Sequence, residues 1–132
     1  MKPHTRAMIA AASFAVLTGK KVAGLYDHTT GQDLRIAAEA RGDSVQGFDG
    51  DRAAKFGGTL PELHDAADQT FISCTRDGAT MRGHDRGSST AYTARVEDNV
   101  AQVFDHGQNR WFSYDVLDPA KDGQYYRAEV AG

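Results

Sequence analysis

The sequence is short of several things, and each shortage removes a class of protein. There is one cysteine, Cys74, among 132 residues, so an intramolecular disulfide framework is excluded and redox chemistry would need a partner thiol. Both reducing and oxidising compartments remain open. There is no basic excess: 15 Lys and Arg stand against 18 Asp and Glu, a formal net charge of -3. Binding to nucleic acid demands a clustered basic face, so DNA and RNA are set aside as partners. The apolar run from Ala7 to Leu17 is too short to cross a bilayer, which excludes a transmembrane span. A hydrophobic fraction of 40% with 25% charged residues is ordinary globular composition and gives disorder no support. The length suits one domain. Glycine, at 14 residues, is plentiful and favours turns.

Residues 1–18 differ from the rest. Lys2, His4 and Arg6 precede the apolar run, the polarity of a secretory signal, and Ser13-Phe14-Ala15 is the nearest approach to a small-x-small cleavage site. The run itself ends in Thr18-Gly19-Lys20-Lys21, with no such site. The alternative is a helix or strand packed on the core of the domain formed by residues 19–132, where it would cap an open end. Periodicity does not separate the two. A signal implies a periplasmic or secreted protein; a packed segment implies a cytoplasmic one.

Residues 19–132 contain an internal repeat. An aromatic residue or histidine precedes an aspartate at Tyr26-Asp27, Phe48-Asp49, His64-Asp65, His84-Asp85 and Phe104-Asp105, with the aspartates 22, 16, 20 and 20 residues apart. Seven residues after each aspartate stand Leu34, Phe56, Ile72, Tyr92 and Phe112, all large and apolar. Two residues further come Ile36, Gly58, Cys74, Ala94 and Tyr114, mostly apolar or small, as one face of a strand requires. The period of about twenty reads as a β-hairpin. Turn formers follow the aspartates, as in His28-Thr29-Thr30-Gly31, Arg86-Gly87-Ser88-Ser89 and His106-Gly107-Gln108-Asn109, and tight connections stand at Arg41-Gly42-Asp43, Asp77-Gly78 and Glu97-Asp98-Asn99.

The expected fold is all-β: an antiparallel up-and-down meander of about ten short strands in five hairpin repeats, closed as a barrel or folded as a sandwich so that its edges are hidden. A turn over residues 119–123 would return residues 124–130 as one more strand, and Pro61 marks a segment away from the centre of a sheet. A five-bladed propeller needs longer blades.

The Tyr26-Asp27 element with Gly31 resembles the YD repeats of large secreted bacterial shell proteins. It departs from their pattern, which sets a glycine and an arginine soon after the aspartate and a leucine next, whereas here the apolar residue stands seventh. Aromatic hairpins of this length are also similar to choline-binding cell-wall repeats, but those use glycine-tryptophan pairs and Trp111 is the one tryptophan. The resemblances imply an extracellular style of repeat and carry over no functional residue.

In a meander all first strands end at the same edge, so Asp27, Asp49, Asp65, Asp85 and Asp105 share a rim. His28, His64, His84 and His106 adjoin them, and Arg52, Arg86 and Arg110 fall in the turns. Convergent Asp and His suit a divalent metal; the competing expectation is that each aspartate accepts backbone N–H bonds to hold its turn. Asp49-Gly50-Asp51 resembles the start of a calcium loop but lacks its glutamate and flanking helices, and reads as a turn. Ser88 and Ser89 near His84 and Asp85 do not make a hydrolytic triad on one turn. Cys74 occupies an apolar repeat position and reads as an inert buried thiol. Trp111, Tyr114, Tyr125 and Tyr126 offer either a stacking surface or core. Aspartates repeated at equivalent positions point to architecture more than chemistry, because catalysis needs different groups in different roles. The favoured reading is a non-catalytic binding or structural module of the bacterial envelope or exterior, with no cofactor, an unidentified protein or small-ligand partner, and rim residues plus Trp111 as its contacts. The alternative is a small metal-assisted hydrolase built on the rim Asp and His.

Overall fold

Apolar residues at alternate positions give strands, and turn formers recurring within each repeat keep them short. The computed structural model describes residues 1–117. In it the repeat domain forms β1 (Gly24–Asp27), β2 (Gln32–Leu34), β3 (Ile36–Arg41), β4 (Ser44–Asp49), β5 (Ala54–Thr59), β6 (Glu62–Asp65), β7 (Thr70–Asp77), β8 (Thr80–Asp85), β9 (Thr90–Glu97), β10 (Val100–Asp105) and β11 (Arg110–Leu117). The further strand expected at residues 124–130, with Tyr125 and Tyr126, lies outside the described residues.

All eleven strands join one antiparallel sheet in the order β2-β1-β11-β10-β9-β8-β7-β6-β5-β4-β3. The first hairpin therefore returns to the last strand, with Gly24 opposite Leu117 and Asp27 opposite Tyr114. The formal edges, β2 and β3, are two halves of one strand bent at Arg35. β2 pairs with β1 and β3 with β4, while Val22 and Ala38 exchange backbone hydrogen bonds of 2.8 and 3.1 Å. The sheet is thus a nearly closed barrel of five hairpins, and the barrel rather than the sandwich hides its edges. Pro61 stands in the connection from β5 to β6, where the ladder needs no donor from it.

Ten staves enclose more space than their own side chains fill, since about eight strands already suffice for a filled interior. The remainder is taken by a helix. Pro3–Thr18 forms α1, and every residue from Thr5 to Ala15 is buried, as befits a helix apolar on nearly all sides, with Thr5, Arg6 and Ser13 its buried polar residues. It packs against β1, β3, β4, β8, β9, β10 and β11, so the segment that resembles a signal is the barrel's core and not a cap on its end. Pro3 suits the first turn, where no N–H partner is needed. Gly19 ends the helix at φ 71°, its N–H donating to the Ala15 carbonyl, a left-handed cap that glycine adopts without strain.

Facing residues within each hairpin divide the remaining space between them. The residue two before the aspartate sits opposite the one seven after it: Leu25 with Leu34, Gly47 with Phe56, Leu63 with Ile72, Gly83 with Tyr92 and Val103 with Phe112. A Cβ on Gly47 would collide with the Phe56 ring, and one on Gly83 with the Ser73 carbonyl and the Tyr92 hydroxyl. Phe56, Ile72, Tyr92 and Phe112 are buried as the repeat predicts; Leu34 is half-buried, because the bend at Arg35 carries β2 away from β3.

This division is testable. Phe56→Ala should cost about 3–5 kcal/mol, and Gly47→Ala about 1–3 kcal/mol by overpacking. Combined, the two should cost clearly less than their sum in equilibrium urea unfolding, because the cavity left by the first accepts the methyl of the second. Strict additivity would refute the pairing of the two volumes.

Candidate functional site

Each repeat aspartate is the last residue of its strand and closes a four-residue loop, pairing with Gln32, Ala54, Thr70, Thr90 and Arg110 in turn. The fourth loop residue is left-handed in every case: Gly31, Ala53, Gln69, Ser89 and Asn109, with φ between 50° and 68°. In every loop the aspartate Oδ1 also accepts the N–H two residues on. The distances are 2.8 Å from Thr29, 3.0 Å from Asp51, 3.1 Å from Ala67, 3.0 Å from Gly87 and 2.8 Å from Gly107. The same side chain thus locks five equivalent turns.

These carboxylates face inward. Asp27, Asp49, Asp65, Asp85 and Asp105 are 7, 2, 1, 3 and 0% exposed and ring the N-terminal end of α1, whose free N–H groups carry partial positive charge. Buried carboxylates need compensation, and side chains from distant segments supply it. Arg6, on α1, lies 3.3 Å from Asp105 Oδ2, donates to the Met1 carbonyl at 2.7 Å, and stacks on the Phe112 ring at 3.8 Å. Arg52 donates from Nε to Asp49 at 2.7 Å, and its Nη2 and Nη1 lie 3.1 Å from Asp65 and 3.7 Å from Asp68. Burial lowers the Arg52 pKa, but the contacts with Asp49 and Asp65 outweigh it and the net shift is upward. Asp85 instead accepts from the Ser88 hydroxyl at 2.6 Å. His4 Nε2 donates to Asp68 at 2.6 Å.

The histidines and the tryptophan named with these aspartates lie elsewhere. His28 contacts Asp115 at 2.9 Å and meets the Tyr26 ring edge to face; His64 packs on Phe71; His84 sits opposite Ser73 in the ladder; His106 contacts Thr93 at 3.3 Å and packs on Phe104. Trp111 stands on the same outer face, its ring covered by the Arg95 guanidinium at 4.1 Å. The five aspartates come together; the four histidines are spread around the outside. Arg86 reaches Glu62 at 2.9 Å and Arg110 lies over Phe112 at 4.7 Å, so of the turn arginines it is Arg52 that joins the ring.

The chain matches no family model, no curated protein and no solved structure. The site has to be read from its own geometry.

Two further features belong to the mouth. His4, Asp65 and Asp68 place ligand atoms within 4.8 Å of one another, a set that could hold a metal ion, although the Arg52 guanidinium already lies against both carboxylates. A cavity of about 280 Å³ opens between the first turn of α1 and the first hairpin, lined by Pro3, His4, Ala7, Asp27, Thr30, Gln32, Leu34, Ile36, Asp49, Asp51 and Arg52. Larger hollows, of about 390 and 540 Å³, lie on the outer sheet on either side of Phe48. They are lined mainly by small residues and strand backbone such as Ala37, Gly47 and Gly57 and hold no buried charged group, so the mouth is the richer chemical environment.

His4, Arg6 and Asp68 are absent from the set drawn from sequence. One signal bears on Asp68: the residue three after each aspartate is Thr30, Arg52, Asp68, Ser88 or Gln108, and the varied chemistry of the rim is concentrated at that loop position. Cys74 is buried, and burial raises its pKa; Tyr114 is core, its phenol pushed up first by burial and then by Asp27.

Two outcomes test this account. Asp85→Asn should be nearly neutral, because the amide oxygen still accepts the Gly87 N–H, whereas Asp85→Ala should cost about 0.5–2 kcal/mol by analogy with caps. Asp105→Asn keeps the turn acceptor but strands a buried guanidinium, so it should cost about 3–5 kcal/mol; equal unfolding midpoints for the two Asn variants would contradict it. Asp68 titrates below its ordinary value of 3.8, chiefly because of the His4 hydrogen bond. It binds a proton less tightly folded than unfolded, so its contribution is complete above that ordinary value and is lost as pH falls through the lowered one. Melting temperatures from about pH 5 to about pH 2 should fall less steeply in His4→Leu than in the wild type.

Proposed function

We propose that this chain is a non-catalytic binding module whose ligand site is the cavity at the barrel mouth, between the start of α1 and the first hairpin. One observation carries the reading: at the bend in Arg35 the wall parts, and there an apolar surface of Leu34, Ile36 and Ala7 meets the buried carboxylates of Asp27 and Asp49. Small-molecule sites combine an apolar concavity with a few fixed polar groups in this way. Away from the cavity the ring is occupied by structural contacts, with Asp65, Asp85 and Asp105 each holding a turn and meeting Arg52, Ser88 or Arg6.

A second reading, a metal-assisted hydrolase, rests on His4, Asp65 and Asp68. It requires an ion to displace Arg52 from Asp65 and Asp68, exchanging one cation for another.

The test is a thermal-shift screen of the full chain against small cations, anions, sugars and neutral amphiphiles, with hits mapped by amide chemical shifts. The expected result is saturable binding that perturbs Thr30, Gln32 and Asp51. Hits that perturb only the outer face around Trp111, or none at all, would overturn the mouth as the site. In parallel, a chelator should leave the melting temperature unchanged; a chelator-dependent drop restored by zinc or manganese would favour the hydrolase reading, since a metal held by the folded state stabilises it by mass action.

A further inference from the structure

We infer that the mouth cavity takes an organic cation, an alkylammonium or alkylguanidinium head with a short apolar tail, whose charge is received by Asp27. The inference rests on the mouth being the ligand site and adds the class of ligand.

Charge compensation within the carboxylate ring is uneven. Asp49 has Arg52 at 2.7 Å, Asp65 has Arg52 at 3.1 Å, and Asp105 has Arg6 at 3.3 Å. Asp85 has the Ser88 hydroxyl. Asp51, also at the cavity, has Arg35 at 3.1 Å. Asp27 has less: like Asp85 it has no basic side chain within ion-pairing distance among the described residues, but where Asp85 Oδ2 meets a hydroxyl, the Asp27 carboxylate accepts a single hydrogen bond, from the Thr29 N–H to Oδ1. Yet it is only 7% exposed, so it is largely deprived of water as well. A carboxylate in that position gains strongly from a cation, because the charge is already desolvated and its direction is fixed by the turn.

The cavity supplies the rest of the recognition. Asp27 lines it, and Leu34, Ile36 and Ala7 form an apolar wall beside that carboxylate. A volume of about 280 Å³ accommodates a short alkyl chain with its charged head. Arg52 and His4 do not counter the charge from inside the cavity, since Arg52 is held by Asp49, Asp65 and Asp68 and His4 by Asp68. The same head and tail occur in free alkylamines and in lysine side chains of a protein, and the experiment separates these sources.

Titrate the full chain with n-butylammonium, and separately with n-butanol and butyrate, following the amide shifts of Thr29, Thr30 and Gln32. Butylammonium should saturate with a Kd of about 1 mM, the range open to so small a ligand, while butanol and butyrate should not saturate below about 50 mM. Asp27→Asn, which keeps the acceptor for the Thr29 N–H, should weaken butylammonium roughly tenfold or more. Thr30→Arg places a tethered guanidinium at the cavity; it should abolish binding and raise the melting temperature, a readout that an unfolded variant cannot mimic. Nα-acetyl-lysinamide repeats the titration with the side chain in its protein setting: binding tighter than butylammonium assigns the site to a protein lysine, and weaker binding assigns it to a free amine. If butylammonium binds no better than butanol, or Asp27→Asn binds it equally well, the charge assignment fails. If butanol or butyrate then saturates at Thr30 and Gln32, the mouth stands as a ligand site with the wrong ligand class. If nothing saturates there, both readings fall.

Discussion

A ten-stave barrel cannot fill itself, and the rest of this structure depends on that constraint. Inward side chains of two adjacent residues per hairpin, such as Leu63 and Ile72 or Val103 and Phe112, line the wall but leave the axis empty. α1 fills it, and its surface must then be apolar around its whole circumference from Ala7 to Ala15, Ser13 excepted. The helix also explains why the repeat tolerates glycine opposite aromatics: the wall needs only constant thickness, and Gly47 with Phe56 meets that as well as Leu63 with Ile72 does.

The helix brings charge into the barrel along with apolar surface. Its N-terminal end lies within a ring of five carboxylates that the hairpin turns generate as a by-product of their own geometry, since an aspartate that holds a turn at the end of an inward-facing strand position is carried to the interior. The positive end of the helix, Arg6 and Arg52 offset this ring. The offset is unequal because the repeat is unequal. The spacing of 22 residues between Asp27 and Asp49 accommodates the bend at Arg35, and the wall opens there. The same irregularity that disturbs the period therefore makes the cavity, and Asp27 beside it lacks the cation that Asp49, Asp65 and Asp105 have.

Much of this was legible in the sequence, for local reasons. The hairpins, their turns and the apolar residue seven after each aspartate are short-range patterns, and a strand's period of two makes them readable. The turn-holding role of the aspartates belongs to the same class: the acceptor and its N–H are two residues apart, as with Asp85 and Gly87. The parity of the strand also bears on the histidines. His64 and His84 immediately precede their aspartates, so an inward Asp65 or Asp85 sends them outward, and grouping residues by their place along the rim overlooks this.

Tertiary structure alone decided the remainder. That residues 1–18 pack inside the barrel cannot be read from their hydropathy, because a signal and a fully buried helix demand the same apolar surface; the packing depends on the space that the strands enclose. Which cation meets which carboxylate was likewise hidden, since Arg6 and Asp105 are 99 residues apart and become neighbours only when the first segment enters the barrel that the last hairpin helps to close. The sequence by itself determined the repeat, the turns and the burial of their aspartates' strands, all set by contacts within about twenty residues. The closed wall, the helix within it and the uncompensated Asp27 were set by contacts across the whole chain, where no local period records the partner.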